Sequence, residues 1–300
     1  MIIIPKLILL FIHTHNDNIK SMRKLIVLTF ILLYSLQSKA QYFEAGLTAG
    51  VTSYMGDLQP DKPDTRSFSK SGGAFVRWNY SPTIAVKASA LYGSFTASDK
   101  YATGSRISRN LESITTIYEA ALTGEFNLTK YDILDGHITS PYLFAGVAGM
   151  YFNPQAKIGG VLTDLQPLGT EGQFLEGGKP YSRFALAIPA GVGFKLAATK
   201  RINLGFEFGF RYAFTDYLDD VSGNYPDLVA LAQQNQVAAD YSYRMPAYFN
   251  QKLENPKGLP RGNKIKYDMY YYGGVTISYN LATKEKMEFN PEYRNFFKPQ

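Results

Sequence analysis

The stretch RINLGFEFGFRYAF, Arg201 to Phe214, alternates without a break. Ile202, Leu204, Phe206, Phe208, Phe210, Tyr212 and Phe214 fall on one side, and Arg201, Asn203, Gly205, Glu207, Gly209, Arg211 and Ala213 on the other. In a β-strand, side chains at i and i+2 share a face, so one face here is wholly apolar and aromatic while the other is small or charged. Strands of soluble sandwiches run about five or six residues. A strand about twice that long, greasy on one side, has the length needed to cross a bilayer at a tilt.

The same pattern recurs along the chain. Eight segments alternate with period two, over roughly 43–56, 71–80, 83–96, 113–127, 141–152, 183–197, 201–214 and 267–281. RFALAIPAGVGFKL repeats it, and Pro189 within that run removes a ladder donor and predicts a bulge. The connections run about 14, 2, 16, 13, 30, 3 and 52 residues in order. With both ends of the barrel chain in the periplasm, the long connections alternate with short ones and face outward, as in outer-membrane barrels. Only the connection around YDILDGHITS, 131–140, is long for a periplasmic turn. The expected fold is all-β: an eight-stranded antiparallel transmembrane β-barrel with long extracellular loops. Tyr272 to Tyr279, YGGVTISY, resembles the C-terminal β-signal read by barrel assembly machinery, although residues 282–300 follow it.

An export signal begins at Met22, with a basic MRK, an apolar run from Leu25 to Leu36, and small residues at Ser38 and Ala40 that predict cleavage before Gln41. Residues 1–21 read as an upstream extension and 22–40 as the signal peptide, so the expected divisions are a leader over 1–40, a barrel over 41–281 and a periplasmic tail over 282–300. The leader holds five Lys or Arg and one acid, leaving 26 basic and 24 acidic residues. That near balance lacks the basic face that nucleic acid requires. Zero cysteines exclude disulfides, zinc–thiolate sites and a lipid-modified cysteine. No cofactor is implied.

Eight strands enclose a lumen that side chains fill. The inward charges expected there are Glu44, Arg77, Lys87, Glu119, Glu125, Lys195, Glu207 and Arg211, four of each sign. Charges in so dry a space need partners, and an internal ion-pair network supplies them. Barrel hydrolases use histidine as the base. The three histidines here, His13, His15 and His137, fall in the leader region or a predicted periplasmic turn, so the expectation is a protein that is not an enzyme.

The acidic run TDYLDDVSGNY opens the longest loop. A calcium site needs about six or more oxygen ligands, and Asp216, Asp219, Asp220 and Asn224 are the candidates to supply them. The reading taken is that Asp216, Asp219 and Asp220 structure a surface loop through side-chain-to-backbone hydrogen bonds. Further on, PDLVALAQQNQVAADY, 226–241, has apolar spacing and an Asp227 that permit a helix.

Four stretches carry a family resemblance: YMGDLQP (54–60), PYLFAGVAGMYFNPQA (141–156), DLQPLGTEGQ (164–173) and FRYAFTDYLDDVSGNYPD (210–227). Together they resemble the PorG-like outer-membrane barrels of the type IX secretion system of Bacteroidota. The resemblance implies a non-enzymatic component of protein transport and gliding motility, partnered by outer-membrane lipid and by periplasmic ring proteins like PorK and PorN. Candidate docking residues lie in the aromatic tail, Phe289, Tyr293, Arg294, Phe296 and Phe297, since aromatics and Arg are enriched in binding hot spots; the turn near 131–140 is a second surface. The alternative function is an OmpX-like surface barrel whose loops bind ligands or host molecules.

Overall fold

The computed structural model describes residues 42–59, 65–101, 104–245, 255–263 and 267–281. The leader, the cleavage site at Ala40 and Gln41, and the tail with Phe289, Tyr293, Arg294, Phe296 and Phe297 lie outside the described residues. Nine strands form one antiparallel sheet: β1 (Tyr42–Met55), β2 (Ser69–Asn79), β3 (Ile84–Ser98), β4 (Glu112–Asn127), β5 (Thr139–Ile158), β6 (Val161–Asp164), β7 (Phe184–Ala197), β8 (Ile202–Ala213) and β9 (Met269–Asn280). β1 pairs with both β2 and β9, and β4 pairs with β5, so all but β6 close into an eight-stranded barrel without an edge.

The outside of this barrel is built for lipid. On β8, Ile202, Leu204, Phe206, Phe208 and Phe210 are each 40–51% exposed. Large apolar side chains also face outward on the other barrel strands, among them Leu47, Val76, Leu122, Val147, Leu186 and Ile277. A soluble monomer does not carry an apolar belt of that extent. From Ile202 to Tyr212 the strand rises about 33 Å; a tilt of about 40° makes that ~25 Å of membrane height, the usual apolar band. At the long-loop end, Tyr92, Tyr118, Tyr151 and Phe184 form a chain of ring contacts across β3, β4, β5 and β7, at 5.1, 6.3 and 5.0 Å. Phe43 and Trp78 stack at 6.1 Å near the opposite end. Such aromatic girdles mark the two interfaces. No described helix is long and apolar enough to cross a membrane; the crossing is made by strands.

Inside, large and small residues alternate between strands. Tyr142 of β5 lies flat where a side chain on Gly193 of β7 would otherwise stand. Phe144 covers Gly209 of β8 in the same way, its ring 2.8 Å from where a Cβ would sit. These glycines let bulky rings from one wall fill a narrow lumen.

Both short turns close by one device. Ser81 Oγ accepts the Ile84 N–H at 3.0 Å, and Thr199 Oγ1 accepts the Ile202 N–H at 2.9 Å. The longer turn at that end, 128–138, folds back into the mouth. Its Tyr131 and Ile133 are buried against Tyr42 and Ala197, so their apolar faces are not offered to a partner.

Three expectations are corrected. Pro189 produces no bulge: the β5–β7 register is the same on either side, Ala145 opposite Ala190 and Ala148 opposite Ala187, with pairing lost only between. The missing N–H breaks the ladder locally, but no extra residue is inserted. Second, residues 153–182 are not all loop. β5 runs past the barrel rim to Ile158 and returns as β6 through Gly159 and Gly160, whose φ values of 56° and 88° suit a two-residue hairpin turn. The stretch 226–241 forms two short helices, α1 (Leu228–Gln234) and α2 (Gln236–Ser242), rather than one. Asp227 caps the first through Val229 and Ala230, while Asn235 ends it in extended backbone and caps the second.

Replacing Gly193 by Val is expected to clash with Tyr142 and destabilise the barrel by about 1–3 kcal/mol. Denaturant unfolding in detergent micelles measures this, and a Gly193→Val, Tyr142→Ala double variant should recover part of the loss.

Candidate functional site: a filled lumen beneath a folded cap

The eight charged residues of the inward faces, Glu44, Arg77, Lys87, Glu119, Glu125, Lys195, Glu207 and Arg211, are all buried in the lumen. Strand register places Arg77 directly opposite Lys87, a like-charge pair that is unfavourable alone. Carboxylates from the other walls offset it. Glu125 lies 2.9 Å from Arg77, 2.6 Å from Lys195 and 3.6 Å from Lys87. Glu44 pairs with Arg77 at 3.0 Å, and Glu207 pairs with both Lys87 and Arg77. Neutral groups take the remaining positions: Asn79 and Ser278 donate to Glu44 at 2.7 and 2.9 Å, and Tyr142 donates to Glu207 at 2.6 Å. Higher in the lumen, Arg211 meets Glu119 at 3.5 Å, and Glu119 also accepts the Tyr270 hydroxyl. A cavity of about 30 Å³ remains among Lys87, Glu119, Glu207, Arg211 and Tyr272. That is room for about one water.

The long-loop end is closed by a second polar assembly. Arg109 grips Asp99 with two bonds of 2.9 and 2.7 Å, and donates to the carbonyls of Asp57 and Arg261. Arg261 bonds Glu171 at 2.9 Å and the Asp220 carbonyl at 2.6 Å, reaching also the Ser242 carbonyl at the end of α2. Glu171 in turn accepts the N–H groups of Ser222 and Gly223 at 3.0 and 3.1 Å. Each buried arginine thus ties several loops together, with its charge answered by a carboxylate. Beneath them Tyr54, Leu58, Phe95, Ile117, Phe152 and Leu218 pack as an apolar cluster.

Asp216, Asp219 and Asp220 belong to this buried assembly, not to an exposed loop surface. Asp219 accepts the backbone N–H of Val221 within its own loop and of Leu58 from the first loop. Asp220 holds a left-handed backbone, φ 66°, and accepts the hydroxyls of Thr170 and Tyr181 from the third loop. Among the described residues, Asp216 is buried with only Ser222 as a side-chain neighbour that favours its charge. Burial pushes the Asp216 carboxyl up to about 7 and the Asp220 carboxyl up to about 6, in the latter case against the pull of Arg261. Among the described residues no three His, Cys, Asp or Glu side chains converge as metal ligands. The oxygens of Asp219 and Asp220 are turned to separate N–H and hydroxyl donors, so these residues do not fit calcium. His137 is exposed in the turn at the opposite end of the barrel.

The sequence signatures converge here. YMGDLQP supplies Tyr54 and Leu58, PYLFAGVAGMYFNPQA supplies Phe152, DLQPLGTEGQ supplies Thr170 and Glu171, and FRYAFTDYLDDVSGNYPD supplies Leu218, Asp219 and Asp220. Sequence reasoning missed Asp99, Arg109, Arg261 and Asp268, the last of which accepts the Leu218 N–H at 2.9 Å. Nothing local distinguishes them from the charged residues of any exposed loop.

Over residues 23–245 the chain matches the family described as Domain of unknown function (DUF6089). Among solved structures it is similar to the N-terminal β-barrel domain of Pseudomonas aeruginosa OprF, with 10% identity over 80% of this chain and 98% of that one and a TM-score of 0.35. It is similar to P. aeruginosa outer membrane protein OprG, with 8% identity, 81% and 98% coverage and a TM-score of 0.37. Neisserial surface protein A gives 10% identity, 79% and 96% coverage and a TM-score of 0.38. The sequence matches no curated protein. Scores this low carry no argument, and the barrel rests on the chain's own strand ladder.

Glu125→Gln leaves Arg77, Lys87 and Lys195 short of one buried charge and should cost about 3–5 kcal/mol in denaturant unfolding. Arg261→Met should act differently, since its partners lie in loops. Trypsin or amide exchange is expected to show the loop segments 165–182 and 215–245 loosened while the barrel strands, β7 and β8 included, remain protected.

Proposed function

The chain belongs to the DUF6089 family, and we propose that it is a non-enzymatic barrel of the bacterial outer membrane that serves the type IX protein secretion system by anchoring a periplasmic ring of PorK- and PorN-like proteins. The observation that carries this reading is the closure of the barrel. Among the described residues, a lumen packed with ion pairs, a turn folded into one mouth and a cap over the other leave no open path for a solute or a polypeptide. A barrel that conducts nothing contributes to secretion as a fixed point in the membrane. The choice of secretion system comes from the four sequence motifs, and the export signal at Met22 directs the chain across the inner membrane. The long loops then face outward and the short turns face the periplasm.

On that orientation the ring approaches the short-turn end. Asp135 and His137 are exposed on the 128–138 turn, whereas Tyr131 and Ile133 are turned inward. The tail, with Phe289, Tyr293, Arg294, Phe296 and Phe297, is therefore the preferred docking element.

A second reading, a surface barrel that binds ligands through its loops, draws support from Val161, Leu162, Phe174 and Val229, which are large, apolar and exposed on the long-loop end.

The test is a pull-down from solubilised membranes with and without residues Glu288 to Gln300. Loss of the ring proteins on deletion, with the barrel still folded and cargo secretion impaired, is expected. Unchanged ring recovery and secretion, with ligand binding lost on Leu162→Asp, would select the second reading. In planar bilayers the full chain should give no steady ion conductance under either.

A further inference from the structure

Tyr54 stands at the upper end of β1 with its hydroxyl between two buried carboxyl groups. The oxygen is 2.7 Å from Asp219 Oδ2 and 2.6 Å from Asp268 Oδ1, and it accepts the Asp57 N–H at 3.0 Å. A phenol has one proton to donate. It satisfies one carboxylate and presents only lone pairs to the other. The remaining bonds say which. Asp219 Oδ2 also accepts the Leu58 N–H at 3.1 Å and Asp219 Oδ1 accepts the Val221 N–H at 3.0 Å, so both of its oxygens act as acceptors. Asp268 Oδ2 accepts the Leu218 N–H at 2.9 Å, while Asp268 Oδ1 faces the tyrosine oxygen. The set closes when Asp268 carries a proton on Oδ1 and donates it to Tyr54, which donates its own to Asp219.

We propose that this proton, shared along Asp268, Tyr54 and Asp219, is the latch that holds the cap on the barrel, and that its loss at alkaline pH releases the cap. The three residues come from the end of β1, the start of the 214–268 loop and the residue before β9, so the latch joins the loop's two ends to the first strand. Among the described residues no uncommitted cation replaces the proton. Arg109, from the second loop, bonds Asp99 and opposes the rise at Asp219 only through its charge, and Arg261 bonds Glu171. The other neighbours add negative charge: Asp57 from the first loop acts on Asp219, and Asp216 from the same loop as Asp219 acts on Asp268. Below, Tyr270 and Arg211 are turned to Glu119.

Burial, followed by the charge of Asp57, raises the Asp219 carboxyl well above the ordinary carboxylate range; burial, followed by Asp219, does the same for Asp268. Because the two interact, they titrate as a pair. An opened loop returns both to their ordinary values, so closing the cap takes up protons. The cap is accordingly tightest in acid and loses protection as pH rises through the folded values.

The chain has no cysteine, so spin labels attach only where cysteines are introduced. Lys100→Cys and Lys257→Cys place them at exposed cap positions in the second and fourth loops. In the full chain in lipid nanodiscs, the label-to-label distance distribution is expected to be narrow at pH 6 and to lose its narrow peak at pH 10. Asp268→Asn replaces the acid by a permanent donor and should keep the narrow peak at both. A wild-type distribution unchanged between the two, or equal broadening in Asp268→Asn, would overturn the proposal. Should that variant fail to fold, infrared difference spectra of the wild type decide. A protonated-carboxyl band must disappear over the same pH interval in which the peak is lost, and its absence at pH 6 overturns the proposal as well.

Discussion

Arg77 of β2 stands directly across from Lys87 of β3, inside a barrel whose other side is lipid. Neither cation can turn outward, because the outward positions of a membrane strand face hydrocarbon, where a charge costs about 2–4 kcal/mol at mid-height. The pair is tolerable only because Glu125, Glu207 and Glu44 reach in from β4, β8 and β1. That demand couples strands that are not neighbours in the sheet. It also requires the rest of the lumen to be packed, since buried pairs keep their strength only where water is excluded. The glycines under Tyr142 and Phe144 follow from the same requirement.

The solution at the long-loop end is similar in kind, though built from loops instead of strands. Arg109 and Arg261 each gather a carboxylate and two carbonyls, which lets segments without regular structure bury their polar backbone. Loops this long in a compact protein are otherwise exposed and mobile. Here they form a folded lid whose interior holds acidic groups far from their ordinary ionisation. A barrel plugged at one end by Tyr131 and Ile133 and at the other by this lid is suited to holding position in a membrane and to presenting two different surfaces, one on each side.

The barrel itself was legible because period-two alternation is a local property and lipid outside makes it strict. Arg201 to Phe214 alone specifies which residues face which way, and seven other segments repeat the rule. The inward charges were readable for the same reason: a charge on the small-residue side of such a strand has one place to go. Pro189 shows where that reasoning ends. A missing donor predicts a disturbance in the ladder, yet whether the chain answers with an inserted residue or an unpaired step depends on the register of β5 opposite. The hairpin made by the end of β5, Gln155 to Ile158, with β6 was hidden because it is short, lies beyond the membrane and lacks the lipid-imposed pattern.

The three aspartates of TDYLDDVSGNY mark the boundary most clearly. By sequence they are the polar opening of a loop. In the structure each has a separate situation: Asp219 shares a tyrosine with Asp268, Asp220 holds the third loop, and Asp216 is buried beside Ser222 of its own loop. Their partners lie far along the chain, at Tyr54, Thr170, Tyr181 and Asp268, and no spacing rule links them. The sequence by itself determined the strand faces, the closed barrel and the charge balance of its interior, since each follows from alternation along one strand against lipid. Only the tertiary structure decided which charges meet, how both mouths close and which carboxyl must keep its proton. Those depend on distances between segments, and a linear pattern contains none of them.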